Sequence, residues 1–498
     1  ALMFGLLMCR SGFKFLIEKK YFHLILAILM FCLSVLSKKD GILFIALFPL
    51  MAFYFYRKEI NWYLLSFLTI GPYLAQKLIK KSLVPSDNYD RIFFIQENPL
   101  FGDSNLIDRV KMGISSFILY FKIYIVPFPL RFFYGYNQIE PSEFTSFKFV
   151  LAIIISIALI FLCIKMFQKD QILSFGIAFT LISLSVYLNI ITPAVGIVAE
   201  RFAFIPSIGL SILFISAIGY IFKIDFKSIN EHNFKAVNLK FKYLLFIICI
   251  VFSIISFSRN FKWKDRMRLF TTDIKHLEFS AKAHEVLGTE YYSLSSKAQS
   301  KEEKEVLADS AISNYKKAIN IYPNYFIVYN SLGTVYFNIL NNPSSAIPYF
   351  EKGIQINSKH VNGYVNLAAC YISKHDTEKA TKYIEIALVM DTNKTQSTLL
   401  MAAKIYNSTN DFQKSDYYIN QAKIKYPLSD LLHIQHANIL LERRDTISAI
   451  EQLKYSIDKK TKNENVFRFL IGHYAKRNQI DSAEYYTQLL KKINPEIK

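Results

Sequence analysis

An acidic and a basic residue, Glu200 and Arg201, lie side by side in "VAERFAFIPSIG", between two strongly apolar runs. A charge at the centre of a bilayer costs about 2.5–3.5 kcal/mol, so charges beside apolar runs are placed at an interface or kept for function. Arginine presents a planar fork of N–H donors that fits phosphate oxygens. The pair predicts either an anion site or an arginine that anchors a helix end, with Glu200 as its salt-bridge partner.

The composition divides the chain into two differently solvated parts. The chain has 498 residues, more than one ordinary domain contains. It is 52% hydrophobic with a mean hydropathy of +0.22, which is too apolar for a wholly soluble protein. Residues 1 to about 257 are dominated by Phe, Ile, Leu and Tyr, whereas about 280 to 498 is rich in Lys and Glu. We expect an all-α fold with a membrane domain before an aqueous one.

The strong positive charge favours a lipid partner over a nucleic acid. The net charge is +20 and the pI is near 9.4, but Lys and Arg are scattered over loops and polar faces. Because no basic stripe is interleaved with stacking aromatic residues, nucleic-acid binding is excluded as a function class. Anionic membrane lipid is the expected partner of the basic loops.

The five cysteines indicate no redox or metal chemistry. No CxxC pair occurs and four of the cysteines fall in or beside apolar runs, so we expect no disulfide, no zinc and no other metal site. No cofactor is required by the sequence, and a need for a divalent metal is left open. The chain opens "ALMFGLLMCR" without an initiator Met or a signal-peptide pattern, so we expect the natural sequence to begin upstream.

Apolar runs predict a polytopic membrane domain over residues 1–258, with about eight helices. The expected spans are 1–9 (truncated), 21–36, 41–56, 61–76, 147–164, 171–192, 203–222 and 243–258. Residues 112–130 are interrupted by Lys122, Pro127 and Pro129, which favours an interfacial segment over a span.

The distribution of Lys and Arg predicts which side each loop occupies. If the basic residues of 10–20 are cytoplasmic and each span crosses the membrane once, the basic loops near residues 57–58, 165–169 and 223–242 are cytoplasmic as well. The same count places Ser37–Gly41, residues 77–146, the Glu200–Arg201 loop and everything after 258 on the extracytoplasmic face. We expect a bacterial inner membrane with periplasmic repeats, or an endoplasmic reticulum membrane in a eukaryote.

Residues 283–498 repeat with a period near 34, which is typical of tetratricopeptide helix pairs. A small residue recurs at Ala311, Ala346, Ala380, Ser415, Ala449 and Ala483, with spacings of 35, 34, 35, 34 and 34. Small residues suit this position because the two helices of a pair approach closely. We expect about six repeats after a linker at 259–282, an extended first hairpin near 295–305, and a concave face that holds a polypeptide.

Five motifs in order resemble the transmembrane and tetratricopeptide repeat-containing protein O-mannosyltransferases. They are "SVLSKKDGILFIALFPLMAFYF", "NPLFGDSNLIDRV", "YIVPFPLRFFYGY", "VAERFAFIPSIG" and "SRNFKWKDRMRLF". That family is similar to the C-type membrane glycosyltransferases. The resemblance implies transfer of a sugar, mannose in relatives, from a polyprenyl phosphate to Ser or Thr on the outer side of the membrane.

Such a transfer needs a carboxylate to take the hydroxyl proton and cations to stabilise the departing phosphate. The resemblance therefore implies a lipid-phosphate and sugar site that includes Arg201 and Glu200, with Glu200 orienting Arg201 or contacting sugar hydroxyls. Tyr134 is expected either to line a sugar groove or to anchor the interface.

The outer loop of Lys38, Lys39 and Asp40 departs from the family, which usually has Ser-Lys-Glu there. Lys39 stands where Glu is expected and Asp40 follows one place later. These residues join the candidate site, with a solvated turn of interfacial lysines as the alternative. The catalytic base is not assigned, because the family's essential acidic residue lies in the first outer loop, expected upstream of Ala1.

Two functions follow from these patterns. The first is a membrane protein glycosyltransferase whose repeats bind the acceptor polypeptide. The second is a membrane-anchored tetratricopeptide scaffold, without catalysis, in a larger envelope complex. The Glu200–Arg201 pair favours the first, and Lys39 in place of Glu favours the second.

Overall fold

The computed structural model describes residues 1–57, 70–71, 73–74, 94–102, 104–224, 226 and 238–494, without the side chain of Lys39. The predicted span 61–76 lies almost wholly outside these residues. The described residues form helices and no strand, with one isolated bridge between Tyr134 and Val198. The chain divides into two compact units, Ala1–Leu287 and Gly288–Lys498.

The first unit is a set of apolar helices joined by structured loops. Its described helices are α1 Leu2–Glu18, α2 Tyr21–Ser37, α3 Phe44–Phe55, α4 Leu106–Ile125, α5 Phe147–Lys169, α6 Gln171–Ser185, α7 Phe204–Ile221, α8 Leu239–Lys262 and α9 Arg266–Asp273. Three of them, α5, α7 and α8, are long and apolar enough to cross a membrane. Shorter apolar helices cover Tyr21–Ser37, Asp40–Phe55 and Gln171–Ser185.

The two largest differences from the predicted helix bounds are at the ends of α1 and α6. Helix α1 continues to Glu18 instead of ending near residue 9, because Arg10 and Lys14 lie one turn apart on its exposed face while Phe13 packs inside. Helix α6 ends at Ser185, before the expected 192. The chain turns at the buried Asn189, which has a left-handed φ of 63° and donates to the Ile197 carbonyl at 2.7 Å.

The segment predicted to be interfacial is a helix that begins earlier and ends before the prolines. Helix α4 starts at a reciprocal cap, in which Asn105 and Asp108 each accept a hydrogen bond from the other's backbone N–H. It ends at Ile125, two residues before Pro127. Proline cannot continue the hydrogen-bond pattern, which accounts for the end of the helix.

Helix pairs of the tetratricopeptide type build the second unit. Helix α10, Ala281–Ser295, contains the division between the units. It is followed by α11 Lys301–Ile321, α12 Phe326–Thr334, α13 Pro343–Ile356, α14 Val361–Ser373, α15 Thr377–Met390, α16 Gln396–Ser408, α17 Phe412–Lys425, α18 Asp430–Glu442, α19 Thr446–Asp458, α20 Glu464–Ala475 and α21 Ile480–Ile493. The small residues predicted in the second helices are buried in the first five pairs and half-buried at Ala483.

One extra residue in the second pair is absorbed by a π-helical turn, Val335–Ile339, at the end of α12. Leu332 and Ala346 are one residue further apart than the matching Leu367 and Ala380 of the next pair. A π-turn accommodates one inserted residue without ending the helix. The insertion therefore leaves the core contacts of the second pair in place.

Stacked tyrosines join the two helices of four pairs. The stacks are Tyr336 on Tyr349, Tyr371 on Tyr383, Tyr406 on Tyr418 and Tyr474 on Tyr486, with ring centroids 5.3, 5.5, 5.6 and 5.7 Å apart. The fifth pair has Leu440 and Gln452 at the corresponding positions.

A polar cluster lies where the fourth and fifth pairs meet. Lys423 Nζ is 2.6 Å from His436 Nδ1 and donates to Gln452 Oε1 at 3.0 Å, and His433 Nδ1 lies 3.0 Å from the same oxygen. Burial, and next the charge of Lys423, lower the pKa of His436 to about 4. Burial also lowers the pKa of Lys423, to about 8.

Candidate functional site

The Glu200–Arg201 pair lies in a short 3₁₀ turn, Glu200–Phe202, immediately before α7. Two tyrosines of α4 fix the backbone on either side of this turn. The Tyr120 hydroxyl accepts a hydrogen bond from the Ala199 N–H at 3.4 Å, and the Tyr124 hydroxyl donates to the Ala203 carbonyl at 2.8 Å. The turn is therefore held against α4 independently of its own side chains.

Glu200 is paired with Arg259 rather than with its neighbour Arg201. Arg259 Nη2 lies 3.5 Å from Glu200 Oε1, and Arg259 Nη1 donates to both carboxylate oxygens of Asp273, at 2.8 and 2.9 Å. Arg259 and Asp273 are 8% and 1% exposed, so this ion pair is almost completely removed from solvent. Burial raises the pKa of Glu200, and the positive charge of Arg259 opposes that shift.

Arg201 is exposed, and among the described residues it forms no ion pair. Its guanidinium carbon lies 4.9 Å from the centre of the Phe202 ring. Phe202 in turn stacks on Tyr187 at 5.0 Å with an interplanar angle of 11°. The guanidinium is thus supported by an aromatic stack while its charge is not neutralised by Glu200.

The loop at Lys38 and Asp40 lies next to the same stack. Lys38 and Asp40 form a salt bridge, and Asp40 also faces the Tyr187 hydroxyl. Burial, and then the negative charge of Asp40, raise the pKa of Tyr187. Tyr187 therefore connects the loop after α2 with the turn before α7.

Tyr134 lies on the other side of Glu200. It is 3% exposed, its backbone bridges Val198, and its hydroxyl accepts from the Arg131 N–H at 3.2 Å. Burial, and next the charge of Glu200, raise the pKa of Tyr134 to about 12. The neighbouring Phe132 N–H donates to Asp273 Oδ2 at 2.8 Å, which ties this loop to the ion pair of Arg259.

Of the six predicted site residues, Lys38, Asp40, Tyr134, Glu200 and Arg201 are brought into one connected region of the first unit. The side chain of Lys39 lies outside the described part of the structure. Sequence reasoning missed Arg259, Asp273, Arg131 and Tyr187. Arg259 stands in the motif "SRNFKWKDRMRLF", which was a signal for its importance but not for its partner.

Buried asparagines hold the loops that carry the site. Asn98 Nδ2 donates to Asn189 Oδ1 and to the Ala194 carbonyl, both at 2.9 Å. The Gly196 N–H donates to the Glu97 carbonyl at 3.2 Å. Asn98 and Asn189 are fully buried, so these bonds fix the loop after α6 to the segment before α4.

The described residues contain no group of three or more His, Cys, Asp or Glu side chains that could hold a metal ion. The described cysteines are free thiols. The region itself presents the exposed guanidinium of Arg201 together with the hydroxyl of Tyr187 and the carboxylates of Asp40 and Glu200.

No family model matches this chain, and no curated protein matches it. Among solved structures it is similar to pilF of Pseudomonas aeruginosa, with 16% identity and a TM-score of 0.33 over 43% of this chain and 92% of that chain. It is similar to a tetratricopeptide protein of Thermus thermophilus, with 15% identity and a TM-score of 0.32 over 37% and 94%. PilW, a type IV pilus biogenesis factor, gives 12% identity and 0.36 over 44% and 95%. These scores are low, so the assignment of the repeats rests on the helix pairs themselves.

Proposed function

We propose that this chain is a membrane protein glycosyltransferase that moves a sugar, mannose-like, from a polyprenyl phosphate to Ser or Thr of exported proteins. The observation that carries the proposal is the exposed guanidinium of Arg201, which lies on the Phe202 ring of the Phe202–Tyr187 stack that Asp40 also faces, while Glu200 is paired with Arg259. The resemblance of five ordered motifs to the O-mannosyltransferases supports the same reaction. The repeats bind the acceptor polypeptide.

The electrostatics of the turn suit an anionic lipid headgroup. The positive charge of Arg201 is not neutralised by Glu200, because Glu200 is bound to Arg259, which also binds Asp273. The turn also precedes the N-terminus of the 18-residue helix α7, where the helix dipole adds positive potential. A guanidinium fork binds two phosphate oxygens at once, which a lysine does not.

In the proposed transfer the acceptor hydroxyl oxygen bonds to the anomeric carbon of the sugar. The bond from that carbon to the phosphate oxygen breaks, and its electron pair leaves on the phosphate. The hydroxyl proton passes to a carboxylate base, for which no residue of this chain is assigned. Arg201 stabilises the negative charge that grows on the leaving phosphate.

The test is sugar transfer from polyprenyl-phosphate mannose to a Ser/Thr peptide, with the protein expressed from its complete coding region. Arg201→Ala is expected to lower kcat/KM at least about a hundredfold, and Arg201→Lys to restore only part of it. Arg268→Ala, an exposed arginine of α9 in the same unit, is the matched control and is expected to keep its activity. Equal activity of Arg201→Ala and the control would reject the donor site.

A second function is favoured by one specific observation. The two carboxylates among the predicted site residues are both in ion pairs, Asp40 with Lys38 and Glu200 with Arg259. We propose as the alternative a membrane-anchored repeat scaffold in a larger envelope complex. Absence of transfer by the wild-type protein with any polyprenyl-phosphate sugar, together with stable recovery in an envelope complex, would select the scaffold.

A further inference from the structure

Lys423 belongs to the polar cluster where the fourth and fifth pairs meet. It is half-buried, and among the described residues it forms no ion pair. Its Nζ lies 2.6 Å from His436 Nδ1 and donates to Gln452 Oε1 at 3.0 Å. His433 Nδ1, which is 3.0 Å from the same amide oxygen, must donate to it because that oxygen can only accept. The amine of Lys423 is therefore held by two partners, one from α18 and one from α19.

These two partners match a neutral amine better than an ammonium group. When Nδ1 of His436 is the acceptor, Lys423 has two acceptors, and a neutral amine has two N–H groups and one lone pair. The third N–H of an ammonium has no acceptor in the described part of the chain. Burial lowers the pKa of Lys423 to about 8, so roughly a quarter of its side chains are neutral at about pH 7.5, against about a thousandth for an exposed lysine. Lys423 therefore offers a nucleophilic lone pair near neutral pH.

The same cluster contains a buried guanidinium nitrogen without a hydrogen-bond partner. Arg443 Nε donates to Asn407 Oδ1 at 2.6 Å, and Nη1 donates to Asp416 Oδ1 at 2.8 Å. Its Nη2 is buried and finds no acceptor within the described residues. Arg443 and Lys423 are both near enough to His436 for their positive charges to lower its pKa. The cluster therefore combines a nucleophilic amine with an unused cationic donor that suits an anion.

We propose that Lys423 is a site of reversible carbamate formation with dissolved carbon dioxide. The Nζ lone pair forms a bond to the carbon of carbon dioxide, and the electron pair of one C=O bond moves onto its oxygen. Nζ loses one proton, which His436 Nδ1 accepts and releases to water, so that nothing is oxidised or reduced. The product is a carbamate anion, which the guanidinium of Arg443 stabilises by its charge and by the N–H groups of Nη2. Because Lys423 lies in α17 and Arg443 follows α18, the carbamate links the fourth pair to the fifth.

The pH dependence of this reaction follows from the charged groups of the cluster. Asp416 is bound to Arg443, and the two histidines are neutral above about pH 6.5 because burial lowers the pKa of both. The amine of Lys423 is therefore the group that titrates between about pH 7 and 9, and carbamate formation at constant carbon dioxide rises over that range. The charged and titratable groups of the cluster are Asp416 of α17, His433 and His436 of α18, Arg443 after α18, and Lys459 after α19.

The experiment incubates the full-length protein with carbon dioxide at about pH 8, traps carbamates as ethyl esters with triethyloxonium, and locates them by peptide mass spectrometry. In the wild type we expect at least about tenfold more trapped carbamate on Lys423 than on Lys414, an exposed lysine of the same helix. Trapping on Lys423 is expected to rise when the pH is raised at constant carbon dioxide. No adduct on Lys423, or equal adducts on the two lysines, would overturn the inference.

Arg443→Gln removes the cation that stabilises the carbamate and is expected to lower trapping on Lys423 at least about tenfold. Arg444→Gln changes the exposed neighbouring arginine and is the matched control, expected to behave as the wild type. Equal trapping in the two variants would overturn the role of Arg443. Thermal unfolding checks that both variants are folded, and the comparison of Lys423 with Lys414 in the wild type needs no variant. The reaction uses neither a sugar donor nor an acceptor, so its outcome is independent of the proposed function.

Discussion

Arg259 and Asp273 form a nearly solvent-free ion pair, in which the guanidinium Nη1 donates to both carboxylate oxygens at 2.8 and 2.9 Å. The pair also connects three parts of the first unit, since Glu200 and the Phe132 N–H bind to it from other loops. Its burial makes it a structural support of the candidate site rather than a group exposed to a ligand.

Asp273→Asn is expected to destabilise the first unit by about 3–5 kcal/mol, because it leaves the charge of Arg259 buried without a full partner. Thermal unfolding in detergent, followed by tryptophan fluorescence, measures the change. Glu143→Gln removes the exposed partner of Lys111 in the same unit and serves as the control, for which we expect little change. An unfolding temperature equal to that of the wild type would show that the pair does not support the fold.

Gly209→Ala is expected to destabilise the first unit by about 1–3 kcal/mol through overpacking. A Cβ at this position in α7 would lie 2.6 Å from Thr180 Oγ1 and 2.8 Å from the Gly176 carbonyl of α6. Gly102→Ala is the matched control, since its Cβ would meet nothing closer than 3.5 Å. Denaturation of the two variants in the same detergent measures the difference, and equal stability would contradict the close approach of α6 and α7.

The Lys and Arg distribution predicts that the candidate site and the repeats face the same compartment. In a cysteine-free background, Ser37→Cys and Asn410→Cys are expected to react with a membrane-impermeant maleimide on intact cells. Lys169→Cys, on the predicted inner side, is expected to react only after permeabilisation. Labelling of Ser37→Cys and Asn410→Cys from opposite sides would reject the proposed arrangement.

Acid is expected to loosen the contact between α17 and α18. The pKa of His436 is about 4 in the folded protein and near 6.5 unfolded, so the unfolded form binds more protons between these values. Above about pH 6.5 His436 is neutral in both forms and does not oppose folding. As the pH is lowered, protonation favours the opened form, and at about pH 5 the equilibrium constant for opening is expected to be at most about thirtyfold larger than at neutral pH. The charged groups nearby are Lys423, Asp416, Arg443 and, beside His433, Lys459.

Hydrogen exchange of residues 412–442 at about pH 7.5 and pH 5, corrected for intrinsic exchange rates, measures this opening. His436→Leu is expected to remove most of the acid sensitivity, since leucine cannot bind a proton. His375→Leu, which changes a histidine outside the cluster, is the control and is expected to behave as the wild type. Acid sensitivity that persists in His436→Leu would assign the effect to another group.

Local sequence patterns predicted the repeats, but they did not predict ion pairs between residues that are far apart in the sequence. The recurrence from Ala311 to Ala483 indicates helix pairs because each small residue meets its partner helix within the same 34 residues. Glu200 and Arg259 are separated in sequence by helix α7 and most of helix α8, so no spacing rule connects them. The sequence accordingly identified the carboxylate but assigned it to its nearest cation, Arg201.

The predicted ends of α1 and α6 were wrong because the prediction counted apolar residues without considering helix faces and side-chain hydrogen bonds. The charges of Arg10 and Lys14 led to the prediction of a loop. Because the two residues are four positions apart, they lie on one exposed face of the helix, and the opposite face can pack. The bend after Ser185 depends on the buried amide of Asn189, which the run of apolar residues alone does not reveal. Both errors arise because a helix is defined by its faces and its side-chain bonds as well as by the number of apolar residues it contains.

The missing tyrosine stack in the fifth helix pair has a mechanical consequence. Four pairs are clamped by rings at nearly constant separation, while the fifth has Leu440 opposite Gln452. A pulling force on the C-terminal end of the array is therefore expected to separate α18 from α19, and so to release α19–α21 as one block, before any of the stacked pairs opens.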